Sequence, residues 1–320
     1  MKTLLALAAA LTATVLASPF APVSSSAAAD TVDLSHPGTL DRGDDIRLPH
    51  LKGTTVVDGD VRVEVPGAMV LLGPSGDDYV VLTRTDRSRY RVKRVTSDAS
   101  ATVLLRGRNA NYTELSEDGQ YLLRNDNERR TRITAFDATD GSEVASRRFR
   151  SYASILEADA GTVLVSTWQP RLRTVEWDIV AGTRSLVVDR VGSQADISAD
   201  RLSYYTGDPY DGGCLRVVAL SDPDTVLWES CRQRVYAFSP EGDLLATVHL
   251  LADGVGPGEV QLRETDGTIL VKYAATWFNH VYWEDADTLL LEANGRKKGA
   301  TVRCDGTDCE RATKVKAVSP

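Results

Sequence analysis

Short apolar runs, each broken by a polar and acidic turn, recur along the chain at a near-constant spacing. The clearest are 114–123 (ELSEDGQYLL), 155–165 (ILEADAGTVLV), 196–205 (DISADRLSYY), 237–246 (AFSPEGDLLA) and 282–291 (YWEDADTLLL). The apolar residue before each turn is Leu115, Leu156, Ile197, Phe238 and Trp283, at intervals of 41, 41, 41 and 45 residues. A weaker copy lies 43 residues earlier, at Leu72 (VLLGPSGDDYVVL). Half a repeat later comes a second unit, two β-rich runs around an acidic or glycine turn, as in 132–145, 174–187, 215–228 and 260–271. Turns of this kind between alternating runs signal hairpins.

Each repeat therefore holds four short strands, and four strands in about 42 residues is the pattern of a β-propeller blade. One such sheet buries little on its own, whereas stacking sheets around an axis covers both faces of each. That accounts for continuous apolar runs such as Tyr79–Leu82, Val163–Val165 and Leu289–Leu291, where a half-exposed strand would alternate. The expected fold is all-β, a single propeller of about seven four-stranded blades. Six repeats fill 67–317. Residues 30–66 supply N-terminal strands that close the ring, with a hairpin around Asp58-Gly59-Asp60. The segment near Thr313–Val318 is expected to complete that seventh blade. A six-bladed ring with an N-terminal addition is the alternative.

The turns Ser116-Glu117-Asp118-Gly119 and Ser239-Pro240-Glu241-Gly242, and the strand ending Trp177-Asp178 before Gly182, resemble the repeats of WD40-like and TolB-like propellers. The resemblance spans nearly the whole chain after residue 29 and implies a fold used mostly for binding and scaffolding. It does not specify an activity, because one fold carries many functions.

The start of the chain follows a different pattern. Lys2 precedes an apolar run from Leu4 to Ala17, and a small-residue stretch ends at Ala27-Ala28-Ala29. This is the layout of a secretory signal peptide, and the run is short for a membrane span. Residues 1–29 are expected to be removed near Ala29 and residues 30–320 to be secreted without stable membrane insertion. Removal leaves 36 basic and 45 acidic side chains, a net charge of −9. Such a balance disfavours nucleic acid as a partner. Export also gives the four cysteines a role as disulfides. The pairing with most local sense is Cys214–Cys231 and Cys304–Cys309, each across a hairpin.

Candidate chemistry is sparse. The chain has no Gly-x-Ser-x-Gly elbow, no Ser-x-x-Lys, no His-Glu-x-x-His and no P-loop. Its four histidines share no short spacing, so no metal or cofactor is expected. The acidic pairs sit in turns, where Asp is a preferred residue. Arg42-Gly43-Asp44 matches an adhesion tripeptide, and Asn111-Tyr112-Thr113 a glycosylation sequon. What remains is a set of aromatics and arginines on loops between second and third strands and between blades. The candidate ligand-binding residues are Trp168, Arg171, Tyr205, Tyr210, Trp277 and His280, while Trp177, Trp228 and Trp283 read as core. Stacking, cation–π contact and bidentate pairing with acidic groups suit such a surface. The expected function is non-catalytic binding or scaffolding of a protein or carbohydrate by a monomer. The alternative is a glycan-active lyase or hydrolase whose site is assembled from several blades, with His280, Asp196 and Arg234 as the group to look for.

Overall fold

The computed structural model describes residues 29–86, 89–127, 130–168 and 170–318; the signal-like segment at 1–28 lies outside them. Strands pair in chain order into seven sheets among the described residues. Blade 1 (50–64) has three strands. Blades 2 (68–107), 3 (113–148), 4 (153–188), 5 (192–230), 6 (233–274) and 7 (277–311) have four each, before any strand added at an edge. Antiparallel pairing of consecutive strands is what hairpins of a few residues permit. The first strands of blades 1, 2 and 3 touch in turn, as do those of blades 4, 5, 6 and 7, and the second strand of blade 3 meets the first of blade 4, so the first strands form the inner wall of a ring. The protein is a seven-bladed β-propeller, as the repeat predicts.

Packing follows from the period. Six clusters of buried apolar side chains join blade 1 to 2, 2 to 3, 3 to 4, 4 to 5, 5 to 6 and 6 to 7. Trp177 is fully enclosed between blades 3 and 4, and Trp283 is buried between blades 6 and 7. Both read correctly as core, whereas Trp228 is only half-buried and packs against the cluster between blades 5 and 6.

The remaining seam, blade 7 to blade 1, is closed by a polar clasp. Glu284 and Arg303 of blade 7 form an ion pair with side-chain exposures of 0% and 7%. The Arg303 guanidinium also donates to the carbonyls of Asp44 (3.1 Å) and Asp45 (3.0 Å), and the Arg47 amide donates to Glu284 Oε1 (2.7 Å). Burial pushes the Glu284 carboxyl up, but its bonds to Arg303 and the Arg47 amide outweigh this and hold it below the usual range.

Chain closure differs from expectation. Lys316–Ala317 does not join blade 1 but pairs with Lys298 and Gly299 of blade 7. The N-terminal strand Asp30–Asp33 runs parallel to Ile269–Ala274, the outermost strand of blade 6, and Arg42 then bridges to Arg311 of blade 7. The N-terminal segment thus straps the outside of the last two blades before entering blade 1. The reason is local: Leu34 is fully buried in the core shared by blades 6 and 7, which fixes the strap there. Arg42 of the adhesion-like tripeptide donates to the carbonyls of Asp44 and Arg311 at 3.0 Å each, so it belongs to this strap.

Candidate binding face

Alternation of strand direction places the loops between second and third strands, and the connections between blades, on one face of the ring. The remaining hairpin turns lie on the other. The loop face carries an open cleft of about 740 Å³ across blades 4, 5 and 6. Its walls are Trp168 and Leu172 from blade 4, Asp189–Val191 from the connection to blade 5, Tyr205–Tyr210 from blade 5, and Arg234 with Leu250–Ala252 from blade 6. Trp168 is 43% exposed and Tyr210 72% exposed, an unusual state for large aromatics that no packing requirement explains.

Local chemistry holds these side chains in place. Asp208 caps the short 3₁₀ turn Pro209–Asp211 by accepting from the Tyr210 amide at 2.9 Å. Thr206 and Cys214 close the base of that loop through Thr206 N–H to Cys214 O (2.8 Å) and Cys214 N–H to Thr206 Oγ1 (2.9 Å). The Cys214–Cys231 disulfide, with α-carbons 4.0 Å apart, ties the loop base to the connection into blade 6. Its expected partner pair, Cys304–Cys309, is also bonded. Tyr210 Oη reaches Asp253 Oδ2 at 3.5 Å, spanning blades 5 and 6. Arg234 donates to the Ala252 carbonyl at 3.2 Å.

Of the predicted residues, Trp168, Tyr205 and Tyr210 meet in this cleft. Arg171 lies on the same loop as Trp168 but lines a neighbouring cleft. Two are not brought there. Trp277 is only 6% exposed, because the first strand of blade 7 begins at Trp277 itself and carries the indole into the wall; its Nε1 donates to Asn279 Oδ1 at 3.2 Å. His280 is exposed on the same strand, at the bulge between Phe278 and Val281, away from the cleft lining. The contributions of Leu172, Arg190 and Leu250–Ala252 were not read from sequence. Their only signal is position, on the loops of blades flanking Tyr205.

The group His280, Asp196 and Arg234 does not assemble. Asp196 ends the first strand of blade 5 on the opposite face, where its carboxylate lies within 4.8 Å of those of Glu117 and Glu157. Glu157 by its carboxylate and Glu117 by its backbone amide reach across seams between blades, while Asp196 is held within its own turn. Glu157 Oε2 accepts from the Ile197 amide at 2.7 Å, Asp196 Oδ1 accepts from Ser198 Oγ and the Ala199 amide, and the Glu117 amide donates to Ala158 O. Burial, a hydrogen bond with Glu117 and the charge of Asp196 push the Glu157 carboxyl up to about 9. The Glu157 carboxyl is therefore held in its neutral form.

No protein-family model matches the chain, and no curated protein matches it in sequence. Solved structures do match in shape. The β-propeller domain of the trilobed protease from Pyrococcus furiosus, described as having an open velcro topology, aligns at TM-score 0.59 and 13% identity over 81% of this chain and 86% of that one. Hsv2 of Kluyveromyces lactis aligns at 0.54 and 11% identity over 88% and 97%. An acylaminoacyl peptidase from Pyrococcus horikoshii aligns at 0.55 and 12% identity over 81% of this chain but 47% of that one. At such identities the likeness speaks for fold alone, and it agrees with the geometry: this chain is a seven-bladed β-propeller.

Proposed function

We propose that the protein is an exported, non-catalytic binding propeller that takes its ligand on the loop face, in the cleft across blades 4 to 6. The observation that carries this reading is the pair of solvent-exposed aromatics, Trp168 of blade 4 and Tyr210 of blade 5, that line one cleft of about 740 Å³. A large concave site with few polar groups and rigid aromatic anchors is the usual form of a binding pocket. The disulfide that pins the Tyr205–Tyr210 loop supports both pre-organisation, which lowers the entropic cost of binding, and an oxidising compartment.

The test uses the indoles themselves. Trp177, Trp277 and Trp283 are buried, so acrylamide quenching of native fluorescence reports mainly on Trp168, with a smaller part from half-buried Trp228. A panel of soluble oligosaccharides and peptides should contain members that protect the quenchable fraction, and Tyr210→Ala, which leaves the Trp168 fluorophore in place, should weaken the protection. A panel that leaves quenching unchanged, with Tyr210→Ala indistinguishable from the native chain, would remove this cleft as the binding site.

A further inference from the structure

Beside the aromatic cleft lies a second one, of about 570 Å³, between blades 3 and 4. Its lining includes Arg148, Arg150, Arg171, Arg173 and Arg184, and no acidic side chain. Among the described residues the ion pair these five make is Arg173 to Asp189, at 2.9 Å. The arrangement works against the fold's own electrostatics. Arg132 stands directly opposite Arg148 on adjacent strands, a like-charge pairing that destabilises a sheet. Arg184 also presses on Arg147, which lies over the Trp177 ring and donates to the Gly182 carbonyl at 2.8 Å. On a chain whose net charge is −8, gathering five arginines into one concavity with a single paired carboxylate, Asp189 on Arg173, calls for an anion from outside.

The two clefts share a wall. The loop 167–173 puts Trp168 and Leu172 on the aromatic side and Thr167, Pro170, Arg171 and Arg173 on the arginine side. Thr167 Oγ1 donates to the carbonyls of Arg171 (3.0 Å) and Arg173 (3.2 Å) and so folds the loop into a ridge. A ligand long enough to cross this ridge meets clustered guanidinium groups and then an exposed indole face. Guanidinium forks pair two N–H donors with a carboxylate or a sulfate. The exposed indole offers a flat apolar plane on which a ring can stack.

From this juxtaposition we infer that the arginine cleft is an oxyanion subsite for an acidic polysaccharide, a chain whose sugar rings stack on Trp168 while its carboxylate or sulfate groups sit among Arg148, Arg171 and Arg184. An acidic peptide could answer the guanidinium groups as well, but it brings no row of flat ring faces to lay on the exposed indole of Trp168. The inference rests on the binding reading of the loop face and extends it by naming a ligand class.

The experiment is a titration of the disulfide-bonded chain with polygalacturonate, dextran sulfate and polyglutamate at low and moderate salt. Native protein should bind at least one of the two glycans more tightly than polyglutamate, and which one it prefers separates carboxylate from sulfate recognition. The triple variant Arg148→Gln/Arg171→Gln/Arg184→Gln should weaken that binding about tenfold or more and flatten its dependence on salt. All three side chains are exposed, so the fold should survive, as far-UV circular dichroism and the melting temperature will verify. Trp168→Ala should weaken binding while leaving the salt dependence unchanged. Absence of glycan binding, an unaffected triple variant, or polyglutamate binding as tight as the glycans would each overturn the inference. An unaffected triple variant alongside a sensitive Trp168→Ala would leave the aromatic cleft standing and remove only the oxyanion subsite.

Discussion

The two faces of the ring use the same kinds of residue for opposite purposes. On the turn face, side chains and turns reach across seams. Ser75 Oγ donates to Gly119 O at 2.7 Å, the Ala160 amide to Asp118 Oδ2 at 3.1 Å, Arg201 Nε to Gly242 O at 3.0 Å, and Tyr79 Oη to Asp58 Oδ2 at 2.9 Å. Each of these joins neighbouring blades. On the loop face, among the described residues, the side chains of Trp168 and Arg171 stand at clefts without a hydrogen-bond or ion-pair partner, and the Tyr210 hydroxyl makes only a long contact to Asp253 Oδ2, at 3.5 Å. The recurring turn residues therefore serve the ring, and the residues that break the repeat are the ones left free for a ligand. If that division is real, turn-face substitutions should cost stability, and loop-face substitutions should cost binding.

The largest effect should come from the clasp that closes the ring. Arg303→Ala leaves Glu284, with no side-chain exposure, as a buried charge without its partner. Removing one member of such a pair costs about 3–5 kcal/mol. Urea unfolding should show this loss, while ligand affinity per folded molecule stays constant. The double variant Glu284→Gln/Arg303→Met, which removes both charges, should recover much of it. A loss below about 1 kcal/mol would mean that water reaches the pair and that the outer strap closes the ring instead.

A smaller and sharper test compares two glycines with the same backbone requirement. Gly119 on the turn face has φ +70°, and an added Cβ would lie 2.5 Å from the Pro74 carbonyl of the neighbouring blade. Gly212 on the loop face has φ +86° with nothing near its Cβ position. Gly212→Ala should cost only the left-handed backbone term, about 1 kcal/mol. Gly119→Ala should cost that plus displacement of a seam, about 2–3 kcal/mol in total. Equal losses by chemical denaturation would show that the turn face is no more tightly packed than the loop face.

This division also explains what could be read from the sequence. The period was visible because every blade needs the same turn at the same seam, so Leu115, Leu156, Ile197 and Phe238 recur at one interval. The strands followed from it, as did the disulfides, because both cysteine pairs lie across hairpin connections. The binding face was legible only in part. Trp168, Tyr205 and Tyr210 stood out as aromatics in loops, but Trp277 looked the same and is buried, since one residue of strand boundary decides which side of the wall it takes. Arg184 escaped notice because it begins an outer strand, and its place in the arginine cleft depends on how blade 3 packs against blade 4. Ring closure was hidden for the same reason. Strand Asp30–Asp33 pairs with a partner some 240 residues away, and no local pattern distinguishes the outer edge of blade 6 from the open edge of blade 1.

A test of pH dependence concerns Glu157, the turn-face group whose chemistry most resembles that of a functional site. Its carboxyl is held protonated by burial, by the hydrogen bond with Glu117 and by the nearby charge of Asp196. Its folded pKa is thus raised from an ordinary value of 4.5 to about 9. The folded state then binds the proton more tightly than the unfolded chain does. Stability from this group is complete below about pH 4.5 and is lost progressively as pH rises toward 9. Glu157→Gln keeps an acceptor for the Ile197 amide and removes the titration. Its melting temperature should match the native chain near pH 5 and exceed it by a margin that grows through pH 7 to pH 9. That outcome places Glu157 with the other seam contacts, as a protonated staple between blades 3, 4 and 5. A variant whose margin stays flat across that range would mean that Glu157 is ionised in the folded ring, and a charged cluster at a seam would then need a counter-ion that the staple does not supply.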